Sequence, residues 1–281
     1  MIQPLGATVL QALTRLPTVE CHAELGSTMD RARELAAVQD LPLPALVVAE
    51  RQHAGRGRRA AAWWQPPGSL AMTLVLAASQ PTATPLPLWS PACGLAVAET
   101  IAQLLPDLDP RVSWPNDVEL HGRKLAGVLV EATTTGRLLI GIGINTTGSA
   151  ADAPEAIAGR LTTLVDATGR PLAHGPLLAE LVPTLLATIA AASAEETVPD
   201  LIERYRARCS LTGGRVTLHD VLADPVPGVA SVTRPLRAAT LSGHCHGIDD
   251  QGRLLVATAA GLLAVVTGSL TPPEQVWTDQ R

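Results

Sequence analysis

The chain has 281 residues and a net charge of −5, with 47% hydrophobic and 17% charged residues. That balance excludes a disordered polyelectrolyte and fits a packed fold of one large unit and a small one. The negative charge excludes a broad positive field facing nucleic acid or anionic membrane, so any basic patch is local.

Residues 1–9 carry no cationic leader before an apolar block, and the longest apolar stretch, 70–78, is too short to cross a bilayer, so a cytoplasmic location is expected. Cys21, Cys93, Cys209 and Cys245 are scattered without paired spacing, which points to reduced thiols and to no metal site. Of 21 basic residues, 20 are arginine; Lys124 is the single lysine. Asn116 and Asn145 are the only asparagines, and both lie close to Lys124 in the chain.

In chain order, Ser27 or Thr28 caps a helix that runs on from Met29 until Pro42 and Pro44 end it. Residues 45–50 read as a buried strand, 52–61 as a Gly/Arg loop and 70–77 as a second strand. A buried helix is predicted over 90–105 and a turn over 106–110. Short strands then form a meander over 111–114, 117–120, 124–132 and 137–145. Helices follow over 176–194 and 198–209. Beyond Thr212-Gly213-Gly214, strands over 215–218, 236–246, 253–257 and 262–267 suit a small β-barrel, which places a boundary near residue 211.

Three segments carry chemistry. Arg51, Arg56, Arg58 and Arg59, interrupted by Gly55 and Gly57, can wrap a polyanion, with a solvated basic loop as the plain alternative. Gly55-x-Gly57-x-x-Ala60 also fits a dinucleotide fingerprint formally, but Pro66-Pro67-Gly68 stands where the helix should run and no acidic ribose partner follows. Trp114-Pro115-Asn116-Asp117 marks a corner before Lys124, whose compact ammonium can reach two oxyanions at a tight bend. Gly141 and Gly143, before Asn145, either let a ligand lie against bare backbone or simply accommodate packing.

Taken in order, Gly26-Ser27-Thr28-Met29, Gln52-x-x-Gly55-Arg56-Gly57-Arg58-Arg59, Trp63, Trp114-Pro115-Asn116-Asp117, Lys124-Leu125-Ala126-Gly127 and Gly141-Ile142-Gly143-Ile144-Asn145 resemble the biotin–protein ligases. The resemblance covers residues 20–270 and is thinnest over 150–210. It implies an α+β fold, with a mixed, largely antiparallel sheet and flanking helices over 1–210 and a small β-barrel over 211–281. It also implies ATP-dependent formation of biotinyl-adenylate, with Mg²⁺, and transfer to a lysine of a biotin carboxyl carrier domain of acetyl-CoA carboxylase or a related carboxylase. The site carried over has Lys124 and Arg58 as catalytic residues. Ser27, Thr28, Gln52, Gly55, Arg56, Lys124 and Gly127 fall on the biotin side. Arg56, Arg58, Arg59, Trp63, Asn116, Asp117, Lys124 and Asn145 fall on the ATP side, Trp63 against adenine and the two asparagines and Asp117 toward phosphate or Mg²⁺-bound water.

Two positions depart from the family pattern: Ala61 where another arginine is common, and Ser113 where lysine is common. With 26 residues before Ser27, no winged-helix DNA-binding domain and no nucleic-acid partner are expected, and the protein is expected as a monomer or homodimer. Competing readings are a lipoate ligase or acyl transferase on the same core and a non-catalytic anion- or RNA-binding module; scarce aromatics oppose the last. His244-Cys245-His246 reads as barrel surface, His53 as a loop spacer, and Trp64, Trp89 and Trp277 as packing or interface residues.

Overall fold

The protein is described by a computed structural model over residues 6–77, 88–229 and 234–270; Trp277 lies outside the described residues. Seven strands form one sheet: β1 (Thr18–Leu25), β2 (Ala45–Gln52), β3 (Leu70–Ala77), β4 (Arg111–Ser113), β5 (Asp117–Leu120), β6 (Arg123–Ala132) and β7 (Arg137–Ile144). Their spatial order is β1-β2-β3-β7-β6-β5-β4, with β1 parallel to β2 and the other neighbours antiparallel. This is the mixed, largely antiparallel sheet expected from the sequence. The helices are α1 (Ala7–Thr14), α2 (Thr28–Leu35), α3 (Trp89–Leu104), α4 (Glu155–Ala158), α5 (Leu164–Thr168), α6 (His174–Ala191) and α7 (Val198–Arg208). Helix α1, strand β1 and the short helices α4 and α5 go beyond the elements read from the sequence. β1 is an edge strand whose Glu20, His22 and Glu24 interrupt its apolar run.

The two-residue period of the strands sorts side chains onto two faces. Leu46 and Val48 of β2, Leu70, Met72 and Leu74 of β3, Val128 of β6 and Ile140, Ile142 and Ile144 of β7 join the core that contains Leu95 and Ile101 of α3 and Leu177, Leu178 and Leu181 of α6. Each such side chain contributes about 1.5–3 kcal/mol on burial, so this face anchors the sheet. On the opposite face Ala45, Val47, Val75 and Leu139 form a smaller cluster with Met29, Ala32, Leu35 and Ala36 at α2, and partly buried Leu25, Leu41, Leu43 and Leu129 pack against it. Gly127, Gly141 and Gly143 continue the same face beyond Leu139 with no side chains of their own, Gly141 beneath Met29 and the other two beneath Trp63. Ser27 starts α2 as expected, its Oγ accepting a hydrogen bond from the Met29 N–H at 3.2 Å.

Strands β8 (Arg215–Pro225), β9 (Leu236–Ile248), β10 (Leu254–Thr258) and β11 (Gly261–Ser269) close into a barrel in the order β10-β11-β8-β9. Its interior holds Leu218, Val221, Leu254, Val256, Leu263 and Val265. Cys245 points inward while His244 and His246 are exposed on the other side. The barrel is pinned to the sheet by buried Trp114, whose indole N–H donates to the Gly252 carbonyl at 3.0 Å. Trp89 packs in the main core.

Two measurements check this architecture. Trp114→Phe keeps most of the packing but leaves the Gly252 carbonyl without its donor, and should lower the unfolding free energy in urea by about 1–3 kcal/mol. His174 is buried at the start of α6 with Nε2 2.8 Å from the Thr146 hydroxyl, and burial lowers its pKa from 6.5 to about 4. The imidazole is therefore neutral when folded, while the unfolded chain takes up a proton below pH 6.5. Stability should fall by roughly 3 kcal/mol as pH drops from about 6.5 to about 4, and His174→Gln should flatten that window in pH-dependent denaturation.

Candidate active site

A β-bulge places Lys124. Along β6, Ala126 and Val128 face the core, and an unbroken period of two would send Lys124 there as well. The register changes instead: Asp117 pairs with Gly127 and Val118 with Ala126, but Glu119 pairs with Lys124. Leu125 is the extra residue; it and Ala126 both enter the core, and Lys124 turns to the open face. There its Nζ lies 2.7 Å from Asp117 Oδ1 and 5.6 Å from the centre of the Trp63 ring.

The floor beneath is bare backbone. Gly127 and Gly143 are register partners on β6 and β7, and the Trp63 indole lies across both. A Cβ on Gly143 would come within 3 Å of the Trp63 ring atoms, and one on Gly127 would sit 3.2 Å from Lys124 Cε. A Cβ on Gly141 would meet Met29 Sδ at 2.6 Å. Of the two readings of these glycines, packing by the protein's own Trp63 and Met29 is the one observed. The Trp63 Nε1–H is buried with no hydrogen-bond partner among the described residues.

The arginine segment is folded back on itself rather than an open loop. The Trp63 N–H donates to the Gly55 carbonyl at 2.9 Å and the Gly57 N–H to the Ala61 carbonyl at 2.8 Å, with a bridge between Arg56 and Ala62 and a 3-10 turn over Arg58–Ala60. Gln65 ties its neck: Oε1 accepts from the Gln52 N–H at 3.0 Å, and Nε2 donates to the carbonyls of Glu50 and Ser69. Each arginine is answered by a different element. Arg51 meets Glu24 of β1 at 3.3 Å, and Arg56 meets Asp30 of α2 at 3.0 Å. Arg58 donates to Asn116 Oδ1 at 3.1 Å, and Arg59 meets Asp220 of β8 at 3.3 Å. Burial and neighbouring Arg59 lower the Arg58 pKa, against a smaller opposing pull from Asp117. His53 pairs with Glu24 at 3.0 Å, away from the cleft floor.

A polar chain forms the far wall. Thr73 donates to the Thr28 hydroxyl at 2.9 Å; the Thr28 hydroxyl and N–H both donate to Gln52 Oε1, at 3.1 and 2.8 Å. The Gln52 oxygen is thereby committed, and its nitrogen is the end available to a ligand. Asn116 is held at both ends, its Nδ2 donating one hydrogen bond to the Val128 carbonyl at 2.9 Å while Oδ1 accepts one from Arg58. Asn145 donates to the Thr162 carbonyl at 3.0 Å, and its Oδ1 is buried without a partner.

These walls enclose a cleft of about 840 Å³ lined by Ser27, Thr28, Gln52, Arg56, Arg58, Arg59, Trp63, Asn116, Asp117, Lys124, Gly127 and Asn145. Of the residues singled out in the sequence, Gly55 and Arg51 stand off this wall; Gly55 lies at the neck of the arginine segment, where a Cβ would be 2.9 Å from the Trp63 carbonyl oxygen, and Arg51 is turned to Glu24. Ser113 also lines the cleft. The sequence reading assigned no role at the site to Met29, Gln65, Asp30 or Asp220, which hold the others in place. Asp30 had a local signal, since it sits one turn into the helix capped by Ser27; Asp220 had none, because its role depends on a distant strand.

Residues 23–146 match the Biotin/lipoate A/B protein ligase family. The biotin–[acetyl-CoA-carboxylase] ligase of Mycobacterium tuberculosis is 30% identical over 258 residues, covering 88% of this chain and 86% of that protein. The enzyme of the same name from Paracoccus denitrificans is 31% identical over 85% of this chain and 94% of its own length. Among solved structures, the biotin protein ligase of Aquifex aeolicus in complex with biotin and ATP superposes with a TM-score of 0.69 at 23% identity, covering 92% of this chain and 97% of that one, a likeness of fold. Relatives of this identity, aligned along nearly their full length, place the chain in the biotin–protein ligase family.

Proposed function

We propose that the cleft joins biotin to ATP and then passes the biotinyl group to a lysine of a biotin carboxyl carrier domain, in acetyl-CoA carboxylase or a related carboxylase. The observation that carries the site assignment is Lys124, the one lysine in the chain, turned by a bulge onto the open face of the sheet among Arg56, Arg58 and Arg59. A carboxylate oxygen attacks the α-phosphorus, the bond to the β-phosphate breaks, and pyrophosphate leaves. The carrier amine then attacks the acyl carbon of biotinyl-adenylate, AMP leaves, and the amine gives up a proton.

The first step sets like charges together. Two unit charges 4 Å apart repel by about 4 kcal/mol at the effective dielectric of a protein surface, so fixed cations govern the barrier. Lys124 exchanges Asp117 for the carboxylate and the α-phosphate and acts as the main electrostatic catalyst. Arg58, oriented by Asn116, neutralises the phosphates together with Arg56 and Arg59. A partly desolvated guanidinium such as Arg58 acts more strongly on an incoming anion than a solvated one does. Asn116 holds Arg58 in place, and its second amide N–H is left to face the nucleotide side. Asn145 offers an acceptor oxygen, which suits a nucleobase amine or a metal-bound water and not a phosphate oxygen.

The Ser27 hydroxyl, the remaining lone pair of Thr28 and the Gln52 nitrogen provide donors and acceptors for the biotin ureido group, with Gly55, Arg56 and Gly127 beside them. The Trp63 ring, seated on the paired glycines, serves adenine. Among the described residues no three His, Cys, Asp or Glu side chains cluster to cage a metal. Mg²⁺, which screens phosphate charge when bound, fits as an ion held by the triphosphate with Asp117 from the protein. The folded arginine segment excludes water from the mixed anhydride.

The test is pyrophosphate release from ATP with biotin or lipoate as the acid. Release with biotin is expected; release with lipoate alone would favour a lipoate ligase, and none with either would favour a non-catalytic anion-binding module. Lys124→Arg should lower the biotin-dependent rate about tenfold or more, because a planar guanidinium cannot replace a compact ammonium beside Gly127; a rate like wild type would remove Lys124 from its role. Gly143→Ala should displace the Trp63 ring and cut adenylation about tenfold or more at a stability cost of about 1–3 kcal/mol, read together by kinetics and thermal melting.

A further inference from the structure

The barrel reaches the arginine segment through Asp220. Arg59 Nη1 lies 3.3 Å from Asp220 Oδ2, and Nη2 donates to the Asp220 carbonyl at 3.3 Å, so one guanidinium grips both a side chain and the backbone of β8. The contact spans 161 residues of sequence and is built by a second bulge. Along β8, Val216 and Leu218 are buried and then Val221 and Ala223, so the alternation slips by one residue across His219 and Asp220. The pairing with β11 slips at the same place: Ser269 pairs with His219 but Thr267 with Leu222. The extra residue turns Asp220 out of the barrel toward the cleft, which it lines beside Ser269 and Leu270. Both partners hold left-handed backbone, Arg59 at φ 53° and Asp220 at φ 51°. Non-glycine residues adopt that conformation at a cost, and here it is adopted on both sides of one contact.

We infer that Asp220 is a positioning residue for the reaction: through Arg59 it latches the folded arginine segment against the barrel, so that the barrel forms part of the closure over the activated acyl group. This rests on the adenylating role proposed above. The other dockings of the segment, Arg56 on Asp30 and Arg58 on Asn116, come from the catalytic sheet and its helix; Asp220 carries closure to the barrel. The contact is half exposed, so its strength is that of a surface ion pair, enough to shift the open fraction of the segment without abolishing catalysis.

The test uses Asp220→Gly, which removes the carboxylate while suiting the left-handed backbone, and Asp220→Asn, which keeps the shape and removes the charge. In the unliganded protein, hydrogen exchange of the segment over residues 55–63 should quicken about two- to fivefold in Asp220→Gly and less in Asp220→Asn, the range an exposed ion pair allows. With ATP, biotin and no carrier, the burst of pyrophosphate should slow while the steady release that follows it, limited by escape or hydrolysis of the adenylate, should rise by a similar factor. A variant that merely unfolds in part would lower both phases together, which overturns the inference, as would exchange and both phases equal to wild type. Absence of a biotin-dependent burst in the wild type would instead overturn the adenylating role, and the exchange measurement would still decide the latch.

Discussion

The site depends on one ammonium held on the open face of a sheet whose other face is closely packed. Lys124 stands next to two core residues in sequence, and a bulge at Leu125 keeps it out of the interior. Asp117 holds the charge in place at 2.7 Å before any ligand arrives. A cation paired this way costs little to keep in a half-buried cleft. It is also ready to change partners when a carboxylate and a phosphate enter together, since the combined attraction of two anions exceeds that of one.

The surrounding parts follow from that placement. Paired glycines on β6 and β7 make room for the Trp63 ring beside the ammonium. Trp63 in turn closes the arginine segment by its N–H to Gly55, and Gln65 ties the neck. The barrel is joined to the same region from two sides, by Trp114 donating to Gly252 and by Arg59 on Asp220. Two bulges, one on the sheet and one on the barrel, therefore aim two opposite charges at the one cleft.

Much of this was legible in the sequence. The strand and helix patterns over the sheet and barrel follow from β-branched runs, alternation and capping residues, and the motifs around Ser27, Arg58, Asn116 and Lys124 come together in space. What the sequence did not reveal has physical reasons. Strand β1 does alternate, with Val19, Cys21, Ala23 and Leu25 against Glu20, His22 and Glu24, but it lies at an edge and none of its residues is fully buried, so it carries no apolar run of the kind that marks β2 and β3. A period of two would have buried Lys124, and only the register shift, a property of two strands at once, exposes it. Gly141 and Gly143 read as room for a ligand as readily as room for a side chain, because bare backbone admits either; Trp63 and Met29 decide it. Asn116 reads as a nucleotide-side residue, and its bonds to the Val128 carbonyl and to Arg58 could not be read from the sequence because both partners are distant along the chain. Asp220 acts across the longest sequence separation in the site, where local pattern carries no signal.

The most direct measurement is a crystal structure with a non-hydrolysable analogue of biotinyl-adenylate bound. The account places the Lys124 nitrogen within hydrogen-bonding distance of both the acyl oxygen and the phosphate, released from Asp117, with the indole of Trp63 against the ligand. A Lys124 nitrogen still on Asp117 and out of reach of the bound analogue would contradict it.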